Sequence, residues 1–245
     1  MTLILLCSLA ASASADAVNA GLDLPKVTVS SWTEFEQAID AHPAGLEVTL
    51  GRTIIAASGN SQMNIPAGCE LILDLNGKTM NRNALESGNA NRVFLVYGSL
   101  TIRDSAGGGR ITGGHAWGGG GIAVAEGGSL VLESGILTQN EANGYGGAIY
   151  NGGTFTMKGG SITGNQAWGT DSDTNEGGGG VVNLGSFIMT GGSISDNIAY
   201  ENGGGLLNCG TAQISGGSIT ANQARKFNGG GIASIRHQPD GRPRP

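Results

Sequence analysis

Four groups of residues in this sequence carry enough chemistry to suggest a site. Asp74, Arg103, Glu133 and Lys158 alternate in sign, each one residue past a strand-like apolar position, and Thr190 and Ser215 continue the series. Arg103 and Lys158 are the only basic residues on these aligned segments, so a catalytic base that abstracts a proton from a sugar would be one of them. The same alternation is what a surface ladder of ion pairs looks like, each pair worth a few tenths of a kcal/mol up to ~1. The ladder is the reading expected here.

The second group is "DSDTNE" at 171–176. Asp171, Asp173 and Asn175 have the alternate spacing of oxygen ligands in a calcium loop, which makes Ca2+ the one weak cofactor candidate. Glycine falls at the seventh position of that loop and no glutamate stands at the twelfth, so a solvated acidic loop is expected instead. The third group is aromatic: "HAW", "QAW" and "IAY" put Trp117, Trp168 and Tyr200 at one place in successive repeats, with Asn143 and Arg225 in the remaining ones. Flat apolar rings in a row suit the faces of sugar rings, and shielding of backbone at glycine corners is the structural alternative. The fourth is a hydroxyl column, Thr112, Thr138, Thr163, Ser195 and Thr220. No paired Thr-x-Thr array is sustained along it, so an ice- or mineral-binding face is not expected.

All four groups are positioned by one repeat. "SGILTQN", "GGSITGN", "GGSISDN" and "GGSITAN" close on Asn140, Asn165, Asn197 and Asn222, a step of 25 residues lengthened once to 32. A period of this size marks a stacked architecture. Aligned on Gly98, Gly128, Gly153, Gly185 and Gly210, the segments "SLTIRD", "SLVLES", "TFTMKG", "SFIMTG" and "TAQISG" alternate apolar and polar residues, which is strand chemistry. Leu71, Leu100, Leu130, Phe155, Phe187 and Ala212 form one inward column; Leu73, Ile102, Leu132, Met157, Met189 and Ile214 form the next. A further strand carries Ile111, Leu137, Ile162, Ile194 and Ile219, and a third carries Phe94, Val124, Ile149, Val181 and Leu206.

Three strands per repeat with glycine-rich corners predict an all-β fold: a parallel β-helix (solenoid) of about seven coils over residues 45–234. The corner asparagines, and a second column of Asn151, Asn183 and Asn208 preceded by Glu126, are expected to be structural ladders, each amide bonding to the coil above and below. "SWTEFEQAID" within 16–44 predicts a short helix, N-capped by Ser31 with Glu34 closing a capping box, that covers the first coil. "GGGIAS" would open an eighth coil, and 235–245 read as an irregular tail.

Composition narrows the function classes. Glycine supplies 46 of 245 residues without a three-residue period and proline only 6, so this is not collagen. The net charge is −6, and between Gly118 and Ala224 one basic residue, Lys158, stands among eight acids. Such a surface repels nucleic acid. Residues 1–15 read as a signal peptide ending at Ala13-Ser14-Ala15, and no other apolar run spans a bilayer, so a secreted or cell-surface location is expected. Cys69 and Cys209 fall about five coils apart, roughly 24 Å at strand spacing, and are expected to stay unpaired.

At "LILDLNGKTM", "SLTIRDSAGGGRITGG" and "GGAIYNGGTFTMKGGSITGNQA" the chain resembles right-handed parallel β-helix proteins of the pectin-lyase-like class, and within them the adhesin-like surface proteins of bacteria and archaea. The resemblance covers about residues 45–234. It implies a stalk or adhesin module with a carbohydrate or host-surface partner, and as the alternative a polysaccharide lyase or glycosidase. The fold hosts both, so function rests on the site. A non-enzymatic module is the reading expected, with no catalytic residue assigned.

Overall fold

A computed structural model describes residues 23–84, 91–169 and 176–235. The apolar alternation builds four sheets, and every pairing within them is parallel: one of eight strands, two of seven and one of five. Seven turns of a parallel β-helix result. The two inward columns on the eight-stranded sheet are as the alternation predicts. Leu71 pairs with Leu100, then Leu130, Phe155, Phe187 and Ala212 follow in register. Phe155 and Phe187 stack with centroids 5.1 Å apart. Leu71, Leu100, Leu130, Phe155 and Phe187 are fully buried between neighbouring coils, while Ala212 and Ile214 on the edge strand of the last coil are exposed, which is why one repeat alone has no core.

The third column is corrected by the structure. Phe94 pairs with Ile122, not Val124, and Ile122 continues to Ile149, Val181, Leu206 and Ile232. The turn after Val124 holds Ala125-Glu126-Gly127-Gly128 where the turn after Val96 holds only Tyr97-Gly98. Alignment on the glycine absorbed that difference into the strand. By the same register Val124, not Glu126, stands opposite Asn151. Ile232–Ser234 closes the seventh turn of the helix and does not open an eighth.

The last five turns also have a fourth strand. His115–Gly118, Glu141–Tyr145, Gln166–Ala167, Ile198–Ala199 and Gln223–Ala224 make the five-stranded sheet directly after the asparagine corner. At that corner the residue before the ladder is left-handed in every coil: Gly113, Gln139, Gly164, Asp196 and Ala221 all have φ between 53° and 71°. The ladder holds it closed. Asn140, Asn165 and Asn197 are fully buried, and the Oδ1 of each next asparagine accepts from the backbone N–H and the side-chain amide of the one before, at 2.9–3.1 Å. The amides of Asn165, Asn197 and Asn222 also donate back to Leu137, Ile162 and Ile194 carbonyls. The second ladder runs from Asn151 through Asn183 to Asn208, each link 2.7 Å. It starts where Val124 ends a valine column, so Asn151 Oδ1 is buried with no hydrogen-bond partner.

The cap helix spans Trp32–Ala41 and buries Trp32, Phe35, Ala38 and Ile39. Ser31 Oγ accepts from the Glu34 N–H, and the Glu34 carboxylate accepts from the N–H of Ser30, one residue earlier than a capping box would have it. Phe35 meets Phe94 edge-on at 6.1 Å, sealing the start of the core. A strand ahead of the helix, Lys26–Val29, pairs with Gly45–Leu50 and extends the first sheet by one. The 1–15 segment and the 236–245 tail lie outside the described residues. No described helix is long and apolar enough to cross a membrane.

Candidate functional site

The two sides of the solenoid differ in how their charges are used. On the eight-stranded sheet the alternating series resolves into two separate groups. Arg103 pairs with Glu47 and, at 3.4 Å, with Asp74, while Lys158 pairs with Glu133 at 3.1 Å. Asp74 is not on an exposed face as the series suggested. It is 5% exposed, and its Oδ1 accepts from the backbone N–H groups of Asn76 and Ser105. Burial pushes its carboxyl pKa up, but the Ser105 and Asn76 hydrogen bonds and the Arg103 charge outweigh that and hold it below the usual aspartate value. Both candidate bases are therefore neutralised by carboxylates already in place.

The five-stranded sheet is different. Its inward positions are alanines, Ala116, Ala142, Ala167 and Ala199, small because the asparagine corner brings the neighbouring sheets close. One residue later each chain turns a side chain outward, and here stand Trp117, Asn143, Trp168, Tyr200 and Arg225 as the sequence placed them. Trp117 is 54% exposed and Trp168 41% exposed; Tyr200 is half-buried. The Trp168 indole N–H points to Glu141 Oε2 at 3.4 Å, which fixes the ring while leaving a face open. The Lys226 ammonium sits 5.9 Å from the Tyr200 ring centroid.

Where the five-stranded sheet meets the Met63–Ser234 sheet, the surface turns inward. A cleft of about 370 Å³ opens there, lined by Arg92, Leu95, Trp117, Ala123, Tyr145 and Tyr150. Two of its rings rest on glycine backbone. A methyl at Gly118 would come 3.2 Å from the Tyr150 ring, and one at Gly144 would come 3.2 Å from the Trp117 indole. Further along the same sheet Val182, Leu207 and Ala233 form a second buried apolar cluster outside the solenoid core, with Tyr145 and Tyr150 packed against it. Sequence reasoning found Trp117 but missed Arg92, Tyr145 and Tyr150. The signal available was the outward middle position of the strand Ile149–Asn151.

Two carboxylates also escaped notice. Glu176 and Glu201 are 3% and 0% exposed, on adjacent coils held together by the Gly177–Asn202 bridge, and the Glu176 N–H donates to Glu201 Oε2 at 3.2 Å. A methyl at Gly169 would lie 3.4 Å from Glu176 Oε2 and 3.5 Å from the Glu201 carboxyl carbon, so the two acids flank one point beside Trp168. Glu176 is thus buried, whereas the sequence assigned it to a solvated loop. Asp171, Asp173 and Asn175 lie outside the described residues. Among the described residues no three His, Cys, Asp or Glu side chains gather as metal ligands. Cys69 and Cys209 are free thiols, and burial raises the pKa of both. The hydroxyl column is internally bonded at Ser195–Thr163.

Comparison with protein families, with curated proteins and with solved structures gave no match to this chain.

Proposed function

We propose that this chain is a non-enzymatic β-helix module, secreted or displayed at a cell surface, that holds a glycan against the aromatic face of its five-stranded sheet. The adhesin-like branch of the pectin-lyase-like class is the family reading that fits. One observation carries the proposal. Trp117 and Trp168 are large aromatic side chains 54% and 41% exposed, each one residue past an inward alanine of the five-stranded sheet, Ala116 and Ala167. Open ring faces on one side of the solenoid offer stacking platforms to sugar rings. The neutralised Arg103 and Lys158 favour binding over elimination chemistry.

A panel of immobilised neutral and acidic polysaccharides tests this, scoring retention together with new reducing or unsaturated ends. The wild type is retained without cleaving. Trp168→Ala with Tyr200→Ala abolishes retention and changes stability by less than ~1 kcal/mol, the range for exposed side chains. A large fall in melting temperature would mean the rings are packing elements.

A hydrolase is the second reading, favoured by the Glu176–Glu201 pair alone. Paired carboxylates a few ångströms apart are the equipment of glycoside hydrolysis. New reducing ends that vanish in Glu201→Gln would establish it and displace the binding proposal.

A further inference from the structure

The cleft beside the aromatic face contains a cation with no counter-charge among the described residues. Arg92 lies two residues before the strand Phe94–Val96 and lines the cleft with Trp117 and Tyr150. Among the described residues no carboxylate lies within ion-pairing distance of Arg92, and its Nε is buried with no hydrogen-bond partner. Burial pushes the guanidinium pKa below its usual value, while the nearby Tyr97 and Tyr150 hydroxyls push it back up. Leaving a guanidinium partly desolvated and unpaired is costly. Arg82, which is buried, shows what a structural role looks like. Arg82 donates to Asn60 O at 2.8 Å and Asn91 Oδ1 at 2.9 Å and lies 5.4 Å from the Trp32 ring. Arg92 has no such partners.

Around Arg92 the walls are aromatic. Trp117, Tyr145 and Tyr150 line a volume of about 370 Å³, at the small end of ligand sites, which begin near 300 Å³. Trp117 and Tyr150 are held in place by their seats on Gly144 and Gly118, so the rings are set before a ligand arrives. An aromatic wall accepts the face of a sugar ring, and a planar guanidinium accepts an oxyanion through two parallel N–H bonds. The surroundings set how many charges the ligand carries. Glu126 is in the turn that follows the cleft-lining Ala125, Glu141 is on the neighbouring strand, and the chain carries a net charge of −6. A polyanionic chain would be repelled along its length.

We propose that this cleft binds a glycan through one sugar residue bearing a single oxyanion, carboxylate or sulfate, with Arg92 taking the anion and the Trp117 and Tyr150 rings flanking the sugar. The proposal rests on the glycan reading for the ring and adds the charge and the place where it docks.

Titration calorimetry of the whole chain with methyl glucuronide, 6-sulfated methyl glucoside and unmodified methyl glucoside tests it. The anionic sugars bind at least about tenfold more tightly than the neutral one, the loss typical of removing a charge-assisted hydrogen bond. Arg92→Met erases that preference and leaves the melting temperature unchanged or higher, because it removes an unpaired charge from a half-buried position. Arg92→Lys keeps part of the preference, since the charge stays and the planar fork goes. The carboxylate and sulfate arms tell which oxyanion the cleft prefers. Equal affinity for anionic and neutral sugars, or a preference that survives Arg92→Met, overturns the anion site while the broader glycan reading stands on its polysaccharide panel. No binding of any of the three sugars overturns the site, and with no retention in the panel the glycan reading falls with it. Binding of anionic sugars that persists in Trp168→Ala/Tyr200→Ala leaves this site standing and confines glycan contact to the cleft.

Discussion

Arg103 and Arg92 are the same residue type set into two sides of one solenoid, and they are used in opposite ways. Arg103 pairs with both Glu47 and Asp74, and Lys26 adds a second cation 3.7 Å from Glu47, so four charges on adjacent strands balance, and Asp74 is further held by two backbone N–H groups. Arg92 has aromatic neighbours and, among the described residues, no acid within ion-pairing distance. The first arrangement is complete in the folded chain; the second is completed only by something from outside. A fold made of identical turns thus separates a side that holds the coils together from a side that is left unfinished. The distinction is a pattern of pairing, and it would be invisible to a count of charges.

The strongest way to break this contrast is to damage the scaffold and see whether the aromatic side notices. Asn165→Ala removes the acceptor for both the N–H and the amide of Asn140 and the donor to Leu137 O and Asn197 Oδ1. Buried groups left unpaired cost about 1–3 kcal/mol each, so chemical denaturation should show a loss of about 3 kcal/mol or more. Glycan retention measured well below the lowered melting temperature should persist, because the ladder is not part of the aromatic face. Arg103→Met is a smaller perturbation, about 1–2 kcal/mol, since it removes the cation shared by two carboxylates while Glu47 keeps Lys26 and Asp74 keeps its two backbone N–H groups. It should leave retention unchanged, in contrast to Arg92→Met.

Acid sharpens the same point. The folded pKa of Asp74 lies below its unfolded value, so its contribution is complete above the unfolded pKa, near pH 4, and is lost as pH falls through the folded value. Stability measured from pH 5 to pH 2 should fall less steeply in Asp74→Asn than in the wild type. The smallest effect belongs to Lys158, whose bond to Glu133 is open to solvent on both sides. Lys158→Ala should shift stability by less than ~1 kcal/mol. Loss of a polysaccharide-cleaving activity in that variant would contradict its assignment to the scaffold.

The scaffold was the legible part. A ladder asparagine recurs at the same corner in four successive coils, and an inward column must alternate, so both leave a period that survives in the sequence. The fourth strand leaves almost none, because Gln166–Ala167 and Ile198–Ala199 are two residues long with one buried alanine each. The two-residue difference between the turns after Val96 and Val124 was hidden because glycine marks where a turn ends, not where its strand stops. The aromatic row was readable as a column, Trp117, Trp168 and Tyr200. The cleft was not, since it brings Arg92 and Leu95 of one coil together with Trp117 and Gly118 of the next and Tyr145 and Tyr150 of the one after. The burial of Glu176 likewise follows from a neighbour one coil away, Glu201, which no local pattern announces.

The three tryptophans provide the most direct test of a scaffold side and a binding side. Trp32 is 2% exposed, with its indole N–H bonded to Ser61 O at 3.0 Å under the cap helix, whereas Trp117 and Trp168 stand open on the five-stranded sheet. In 15N-labelled protein each gives one indole N–H resonance. On titration with a soluble oligosaccharide of any glycan the panel retains, the Trp117 and Trp168 resonances should shift saturably while Trp32 stays in place. Saturable binding that leaves Trp117 and Trp168 unmoved, or shifts Trp32 as much as either, would contradict the assignment of this face to ligand.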